Sequence, residues 1–329
     1  MTIAVTGASG FVGSTLIPLL LDEGHSLRLL SHAHPYEGTE KERGELRQVP
    51  GNLLQEESLM PFLSGAEVVI HLASMISIDR EPSEVTYQLN TEGTQALLNA
   101  AQRSGVKRFI YLSSIKAFQQ TPLEQAMDEG RAYLTQASKG YDLSKAVAQA
   151  MVLERHGPKM ACIVLAPSGI IGPMDRKPSP MGKALLKMYK GKLPALFPGG
   201  IDLVDVRDVA QATVKALTLT QTGQAYLLSG QWISLKDLSQ EVGQISGRSL
   251  SIPVLPVWLI HCLLPLINLW SKISGTPPLY TPYAIDNLLH SHRNIRHTLA
   301  SSLLDFHPRP LANTLEDTFS WFKQHGHLT

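Results

Sequence analysis

Short apolar runs alternate with longer stretches of helical period through the first half of the chain. Ile3 to Thr6 is apolar and leads straight into glycines. Leu27 to Leu30, Glu67 to Leu72, Phe109 to Leu112 and Met160 to Ala166 repeat the type. Between them, Leu16 to Leu21 carries a helical stripe with Pro18 as a local gap in the hydrogen-bond ladder, and Ala96, Leu97 and Ala100 share one helix face. Uninterrupted apolar strands need cover on both faces, which a parallel sheet between helical layers provides. Right-handed crossovers then predict a doubly wound α/β fold, the Rossmann arrangement, over residues 1–167.

After Pro167 the pattern changes. Prolines gather at 167, 173, 178 and 180, and a helical stretch runs from Met181 to about Lys190. Residues 202–229 return to a helix and a strand of the first type. Beyond 231 come helical patterns, an apolar segment from Ile252 to Trp270, and an amphipathic stretch around Leu315–Phe322. The expected division is a Rossmann-type domain of residues 1–167 and 202–230. A smaller, discontinuous, mainly helical C-terminal substrate domain would hold residues 168–201 and 231–329.

Composition narrows the function. The chain has 329 residues, enough for two domains of ordinary size. Its 29 Lys plus Arg stand against 28 Asp plus Glu, so no net field is available to hold nucleic acid. A hydrophobic share of 43% excludes disorder, and a charged share of 17%, against about 25% in an average domain, implies a partly apolar surface. Cys162 and Cys262 each lie in a hydrophobic run and read as buried, reduced thiols. Met1 leads at once into Thr2-Ile3-Ala4-Val5 without a leader pattern, so a cytoplasmic location is expected. His32 with His34, and His290 with His292, lack the partners of a metal site, so no metal is expected.

Ile252 to Trp270 has no charged residue and approaches the roughly 20 residues needed to span a bilayer. Pro256 and Pro265 interrupt it, however, and His261 and Asn268 would need partners in lipid. Broken helices packed on the second domain suit it better. A face that rests on a membrane, or that caps an apolar substrate, is the other reading. The expectation carried forward is that 252–270 lines or covers the substrate cleft.

Three patterns carry chemistry. Gly7-Ala8-Ser9-Gly10-Phe11-Val12-Gly13 lies between the first strand and the first helix, where glycines permit a tight turn and close approach to a pyrophosphate. Tyr141 and Lys145 are spaced i, i+4, one turn apart on one helix face. A lysine ammonium there is expected to favour the phenolate and lower the tyrosine pKa, while the tyrosine exchanges a proton with a substrate oxygen. Ser113-Ser114 closes the Phe109–Leu112 run, at the strand edge where ligands bind in open α/β sheets.

Taken together, the chain resembles the extended short-chain dehydrogenase/reductases of the epimerase/dehydratase superfamily. Gly7-x-x-Gly10-x-x-Gly13, His71-Leu72-Ala73-Ser74, Asn90-Thr91-Glu92-Gly93-Thr94, Pro167-Ser168-Gly169-Ile170-Ile171-Gly172-Pro173 and Val204-Asp205-Val206-Arg207-Asp208-Val209-Ala210 resemble family motifs, in the family's order. Tyr226-Leu227-Leu228-Ser229-Gly230, the apolar stretch after Ser251 and the Trp321-Phe322 tail are similar to the dihydroflavonol-reductase and 3β-hydroxysteroid-dehydrogenase-like bacterial branch. The resemblance implies a catalytic set of Ser114, Tyr141 and Lys145. It also implies a cofactor site of Gly7, Ser9, Gly10, Phe11, Val12, Gly13, Ser31, His32, Asn52, Leu53, Leu72, Ala73, Ser74, Asn90, Tyr141, Lys145, Pro167 and Ile170.

Two departures bear on the substrate. Ala166 stands where many relatives acting on nucleotide-sugars carry arginine, and Ile115-Lys116-Ala117-Phe118 lacks the acidic pair of the sugar dehydratases. The second strand ends Leu29-Leu30-Ser31-His32, without the acidic residue that would repel a 2′-phosphate. Ser31 is expected to donate to such a phosphate, with Arg28 or His32 adding charge, so NADP is expected before NAD. The expected function is an NAD(P)-dependent oxidoreductase interconverting a ketone and a secondary alcohol of a bulky, apolar small molecule. A nucleotide-sugar epimerase and a non-catalytic dinucleotide-binding protein are the alternatives, and a homodimer is compatible with either.

Overall fold

The computed structural model describes residues 1–32, 34–38, 45–75, 84–135, 140–260, 262, 264 and 281–328. Its large sheet comprises β1 (Thr2–Thr6), β2 (Ser26–Ser31), β3 (Leu46–Pro50), β4 (Val68–His71), β5 (Arg108–Leu112), β6 (Ala161–Pro167) and β9 (Ala225–Leu228). All seven strands run parallel, in the order β3-β2-β1-β4-β5-β6-β9. From β1 the chain first winds outward to β2 and β3, then returns to β4 and winds the other way. The crevice beyond the carboxyl ends of β1 and β4 is therefore the topological switch point, where such folds bind ligands.

Alternation along β1 explains the double cover. Ile3 and Val5 enter one core layer with Leu16, Ile17 and Leu20 of α1 (Phe11–Asp22) and with Val209 and Ala212 of α6 (Val206–Lys215). Ala4 enters the opposite layer with residues of α2 (Glu56–Leu63), α3 (Glu84–Arg103) and α4 (Tyr141–Glu154). Each fully buried aliphatic side chain contributes on the order of 1.5–3 kcal/mol. Pro18 lies within α1 without ending it. The edge strand β3 and the short helix α2 have no counterpart in the sequence reading. Leu-Arg-Gln-Val-Pro is half-exposed as an edge strand, so it carries no apolar run.

A second, three-stranded sheet of β7 (Gly169–Ile171), β8 (Gly200–Asp205) and β10 (Gln231–Ser234) has the order β10-β8-β7. It shares a third core with α5 (Pro180–Tyr189), α7 (Leu235–Ser246), α8 (Pro282–Leu289) and α10 (Leu311–Gln324). After residue 201 the chain thus runs first in the small sheet, and joins the large body through α6 and β9. Ala300 and Leu304 of α9 (Thr298–Leu304) also pack into the large body's core.

The segment Val204 to Ala210 joins the two bodies with charge. The Asp205 carboxylate caps α6 by accepting from Arg207 N (2.8 Å) and receives the Arg207 guanidinium on both oxygens (2.9 and 2.7 Å). Arg207 also pairs with Asp317 on α10, and Arg309 with Asp208.

Residues 257–260 are helical, and Ile260 and Leu264 are buried in the small body's core, while Trp258 is 67% exposed. Cys162 is buried as expected, but Cys262 is exposed, because it lies opposite the buried face that Ile260 and Leu264 form. Residues 261, 263 and 265–270 of the apolar segment lie outside the described residues. No described helix is long and apolar enough to cross a membrane.

Candidate active site

A cleft of about 390 Å³ opens at the switch point. Its floor is the glycine turn, its sides are the ends of β4, β5 and β6 and the first turn of α4, and Ser179, Pro180, Met181 and Ile201 of the small body complete it. The turn after β1 needs its glycines. Gly7 has φ +74°, and a Cβ there would stand 2.6 Å from Ala73 N. A Cβ on Gly13 would stand 2.5 Å from both Gly7 O and Ala8 O. No side chain caps α1, whose first amides have no partner within the helix. Those amides and the positive end of the helix dipole suit a phosphate diester. The residues present therefore fit a dinucleotide: Gly10, Phe11, Val12 and Gly13 would hold its pyrophosphate, and Leu72, Ser74, Pro167 and Ile170 line the same groove.

Ser114, Tyr141 and Lys145 meet in this cleft. Ser114 lies two residues beyond β5 and caps a 3-10 turn, Ile115–Ala117, whose Lys116 N donates to Ser114 Oγ (3.1 Å). Tyr141 is the first residue of α4, and its phenol lies in the same cleft as the Ser114 and Ser74 hydroxyls, whose proximity favours the phenolate. Lys145 follows one turn later, only 2% exposed, donating to Leu112 O (2.8 Å) and to the Tyr111 hydroxyl (3.1 Å).

The electrostatics differ from expectation at one point. Burial pulls the Lys145 ammonium down to about 7. Burial, with the neighbouring Asp142 carboxylate, raises the Tyr141 phenol above its ordinary value, and the hydroxyls of Ser114 and Ser74 offset only part of the rise. The predicted lowering of Tyr141 by Lys145 is thus not found. The ammonium is directed at Leu112 O and at the Tyr111 ring (4.7 Å), and desolvation disfavours the phenolate. Tyr141 is held as a neutral phenol, the form that gives a proton.

A buried polar network positions this set. The Thr94 hydroxyl donates to Asn90 O (2.7 Å), so at 3.0 Å it accepts from His71 Nε2–H. His71 Nδ1 is then the acceptor for the Thr6 hydroxyl (2.7 Å), which in turn accepts from Ala73 N (3.2 Å). Burial first, and Lys145 second, hold His71 at about 3, so it is neutral at physiological pH. Asn90 Oδ1 accepts from Ser74 Oγ and Met75 N, and its Nδ2 donates to Ser144 Oγ on α4 (3.0 Å). Sequence reasoning assigned no role to Thr6, Thr94 or Ser144, although Thr94 lies within the Asn90–Thr94 motif and the other two lie beside motifs they support.

Not every expected cofactor residue reaches the cleft. Asn52 N donates to Ser58 Oγ, Leu53 is buried in the core beside Gly93, and Asn90 braces the loop after β4. Ser9 is exposed on the turn, Ser31 is half-buried at the end of β2, and His32 beyond it is exposed. Arg28, expected to add charge beside Ser31, instead donates to Pro61 O (2.6 Å) and Phe62 O (2.9 Å), because those carbonyls end α2 beside β2. The described part of 252–264 packs on the small body's core and contributes no lining to the cleft, contrary to expectation. From the small body, α8 instead docks beside the cleft. Its Tyr283 hydroxyl donates to Asp142 Oδ1 (2.6 Å), and Lys116 Nζ donates to Asn287 Oδ1 (3.1 Å). Among the described residues no cluster suited to a metal ion is present.

The model of the NAD dependent epimerase/dehydratase family matches residues 3–228. The chain belongs to that family. The Synechocystis protein named "Putative dihydroflavonol 4-reductase" is 28% identical, with 98% of this chain and 95% of that one aligned. Sterol demethylase protein B of Methylococcus capsulatus is 25% identical across 99% of both chains. Among solved structures, that of gox2253 is 31% identical, with a TM-score of 0.83 over 100% of this chain and 99% of that one. The cofactor of this family member is a nicotinamide dinucleotide, in agreement with the glycine turn and the open start of α1.

Proposed function

We propose that the protein is an NADP-linked oxidoreductase that interconverts a ketone and a secondary alcohol on a bulky, apolar small molecule. The observation that carries this reading is the meeting of the Ser114 hydroxyl and the neutral Tyr141 phenol in the same cleft as the glycine turn. The bound nicotinamide supplies or accepts the hydride. Ser114 donates a hydrogen bond to the substrate oxygen, which gathers negative charge as the carbonyl is reduced. Tyr141 gives that oxygen its proton in reduction and takes it back in oxidation. Lys145, anchored on Leu112 O and the Tyr111 hydroxyl, offers its third N–H to the cofactor side of the cleft.

The lining supports an apolar substrate. Among the described residues that line it, Lys145 alone is charged, and Phe11, Leu112, Pro167, Ile170, Met181 and Ile201 make up much of its wall. A sugar nucleotide would bring a diphosphate of its own, and no described lining residue besides Lys145 is a cation to meet it. The relatives' names, which refer to a dihydroflavonol and a sterol, point the same way. Residues 168–201 and 231–329 form the substrate domain in this reading. A cytoplasmic location, and contact of residues 252–270 with a membrane surface through the exposed Trp258 and Val254, complete it.

The test is a panel of steroid, flavonoid and aliphatic ketones, with UDP-sugars beside them, followed by NADPH absorbance. Tyr141→Phe is expected to lower turnover of an accepted ketone by roughly 10²–10⁴, with NADPH affinity retained. Turnover close to that of the unmodified protein removes Tyr141 from the role. Epimerisation of a UDP-sugar without net use of NADPH overturns the assignment in favour of the epimerase.

A further inference from the structure

One bond that the chemistry above does not use joins the loop after β2 to the loop before α5. Arg176 Nη1 donates to Glu37 O at 2.7 Å. Glu37 lies in the loop after β2, whereas Arg176 lies in the loop between β7 and α5. β2 and β6, the strand that leads into β7, are separated by β1, β4 and β5. Four interstrand steps of about 4.8 Å put those strand ends roughly 19 Å apart. Both Gly10 and Phe11 on one side, and Ile170, Ser179 and Met181 on the other, line the cleft. Both ends of the 170–181 segment thus share the cleft with the glycine turn, and Arg176 between them reaches the loop after β2.

The turn that presents Arg176 is strained and firmly held. Met174 has φ +74°, a left-handed conformation that residues other than glycine rarely adopt. Arg176 N closes the turn on Met174 O (2.9 Å). Asp175 is buried and accepts from Ser179 N (3.0 and 2.9 Å) and Ser179 Oγ (2.9 Å), and Ser179 Oγ caps α5 at Gly182 N. The carboxylate is thus turned inward onto the start of a helix, and the adjacent guanidinium is turned outward into solvent. Among the described residues Arg176 has no carboxylate partner, and Glu37 offers it a carbonyl rather than its side chain. A guanidinium has five N–H donors, suited to phosphate as well as to carboxylate. Arg28, the cation on β2 itself, is already engaged by Pro61 and Phe62.

We propose that Arg176 is a phosphate clasp, a cation supplied by the small body that binds a phosphate of the dinucleotide and closes that body over the cofactor. This rests on the cofactor part of the reading above, and not on the identity of the substrate. The phosphate is either the 2′-phosphate of NADP or the pyrophosphate common to both dinucleotides, and titration separates the two.

The intact protein, Arg176→Gln and Arg176→Lys are each titrated with NADPH and with NADH, following protein fluorescence. A charge-assisted contact at an exposed site is expected to make Arg176→Gln bind NADPH about tenfold more weakly, and at least threefold, with part of the loss restored in Arg176→Lys. Unchanged NADH affinity assigns the contact to the 2′-phosphate, and an equal loss with NADH assigns it to the pyrophosphate. A change of less than threefold with both cofactors overturns the clasp. Failure of the unmodified protein to bind either dinucleotide overturns the cofactor reading itself, a result distinct from the loss of the clasp alone.

Discussion

Replacing Lys145 by methionine is expected to make the protein more stable while it disables the site. The ammonium is buried, with Leu112 O and the Tyr111 hydroxyl as its partners and, among the described residues, no carboxylate to pair with. Burial lowers its pKa from 10.5 to about 7. At roughly 1.4 kcal/mol for each unit, carrying this charge into the fold costs about 5 kcal/mol at pH 6, where both folded and unfolded chains are protonated. Methionine fills similar space without the charge but leaves Leu112 O and the Tyr111 hydroxyl one donor short, a penalty of about 1–3 kcal/mol. The net gain near neutral pH is thus about 2–4 kcal/mol.

The pH dependence is the more searching part. The folded pKa lies below the unfolded one, so between about 7 and 10.5 the unfolded chain binds more protons, and the unmodified protein gains stability as pH rises. At pH 9 the remaining cost is about 2 kcal/mol, so the advantage of Lys145→Met shrinks by about 2–3 kcal/mol between pH 7 and pH 9. Urea unfolding of both proteins at pH 6, 7 and 9 measures this directly. A methionine variant that is less stable at pH 6, or a difference that stays constant from pH 7 to pH 9, refutes the reasoning.

Two further outcomes follow from the packing and the charge network. Gly13→Ala places a methyl 2.5 Å from two backbone carbonyl oxygens, so the turn must shift, and NADPH titration should show at least a tenfold loss of affinity in a folded protein. Arg207→Met leaves the fully buried Asp205 side chain with its backbone cap but without its guanidinium, and should cost about 2–4 kcal/mol in urea unfolding at pH 7. Burial raises the Asp205 pKa, but the hydrogen bonds from Arg207 outweigh this and hold it below 3.8. The stability it contributes is therefore present above that pH and lost below it. The gap between the two proteins should accordingly narrow as pH falls below 4, and a gap that widens there would exclude the account.

Local pattern alone determined much of this molecule. An apolar strand, a glycine turn and a helix within about twenty residues specify one βα unit, because side-chain period and glycine chemistry act over neighbours. The i, i+4 spacing of Tyr141 and Lys145 likewise places both on one helix face wherever that helix packs. The edge strand β3 escaped notice because a half-exposed strand has no apolar run to betray it. What tertiary structure decided is of another kind. Lys145 has its depressed pKa because β5 buries it, and Tyr141 is neutral because the same packing removes water, neither of which spacing encodes. Arg28 reads as a cation for the cofactor until α2 presents it with two carbonyls. Arg176 lies 139 positions from Glu37 and belongs to no motif, yet the fold brings their two loops into contact. Short-range sterics fix what neighbours do, whereas burial and long-range charge depend on which distant segments the fold brings together.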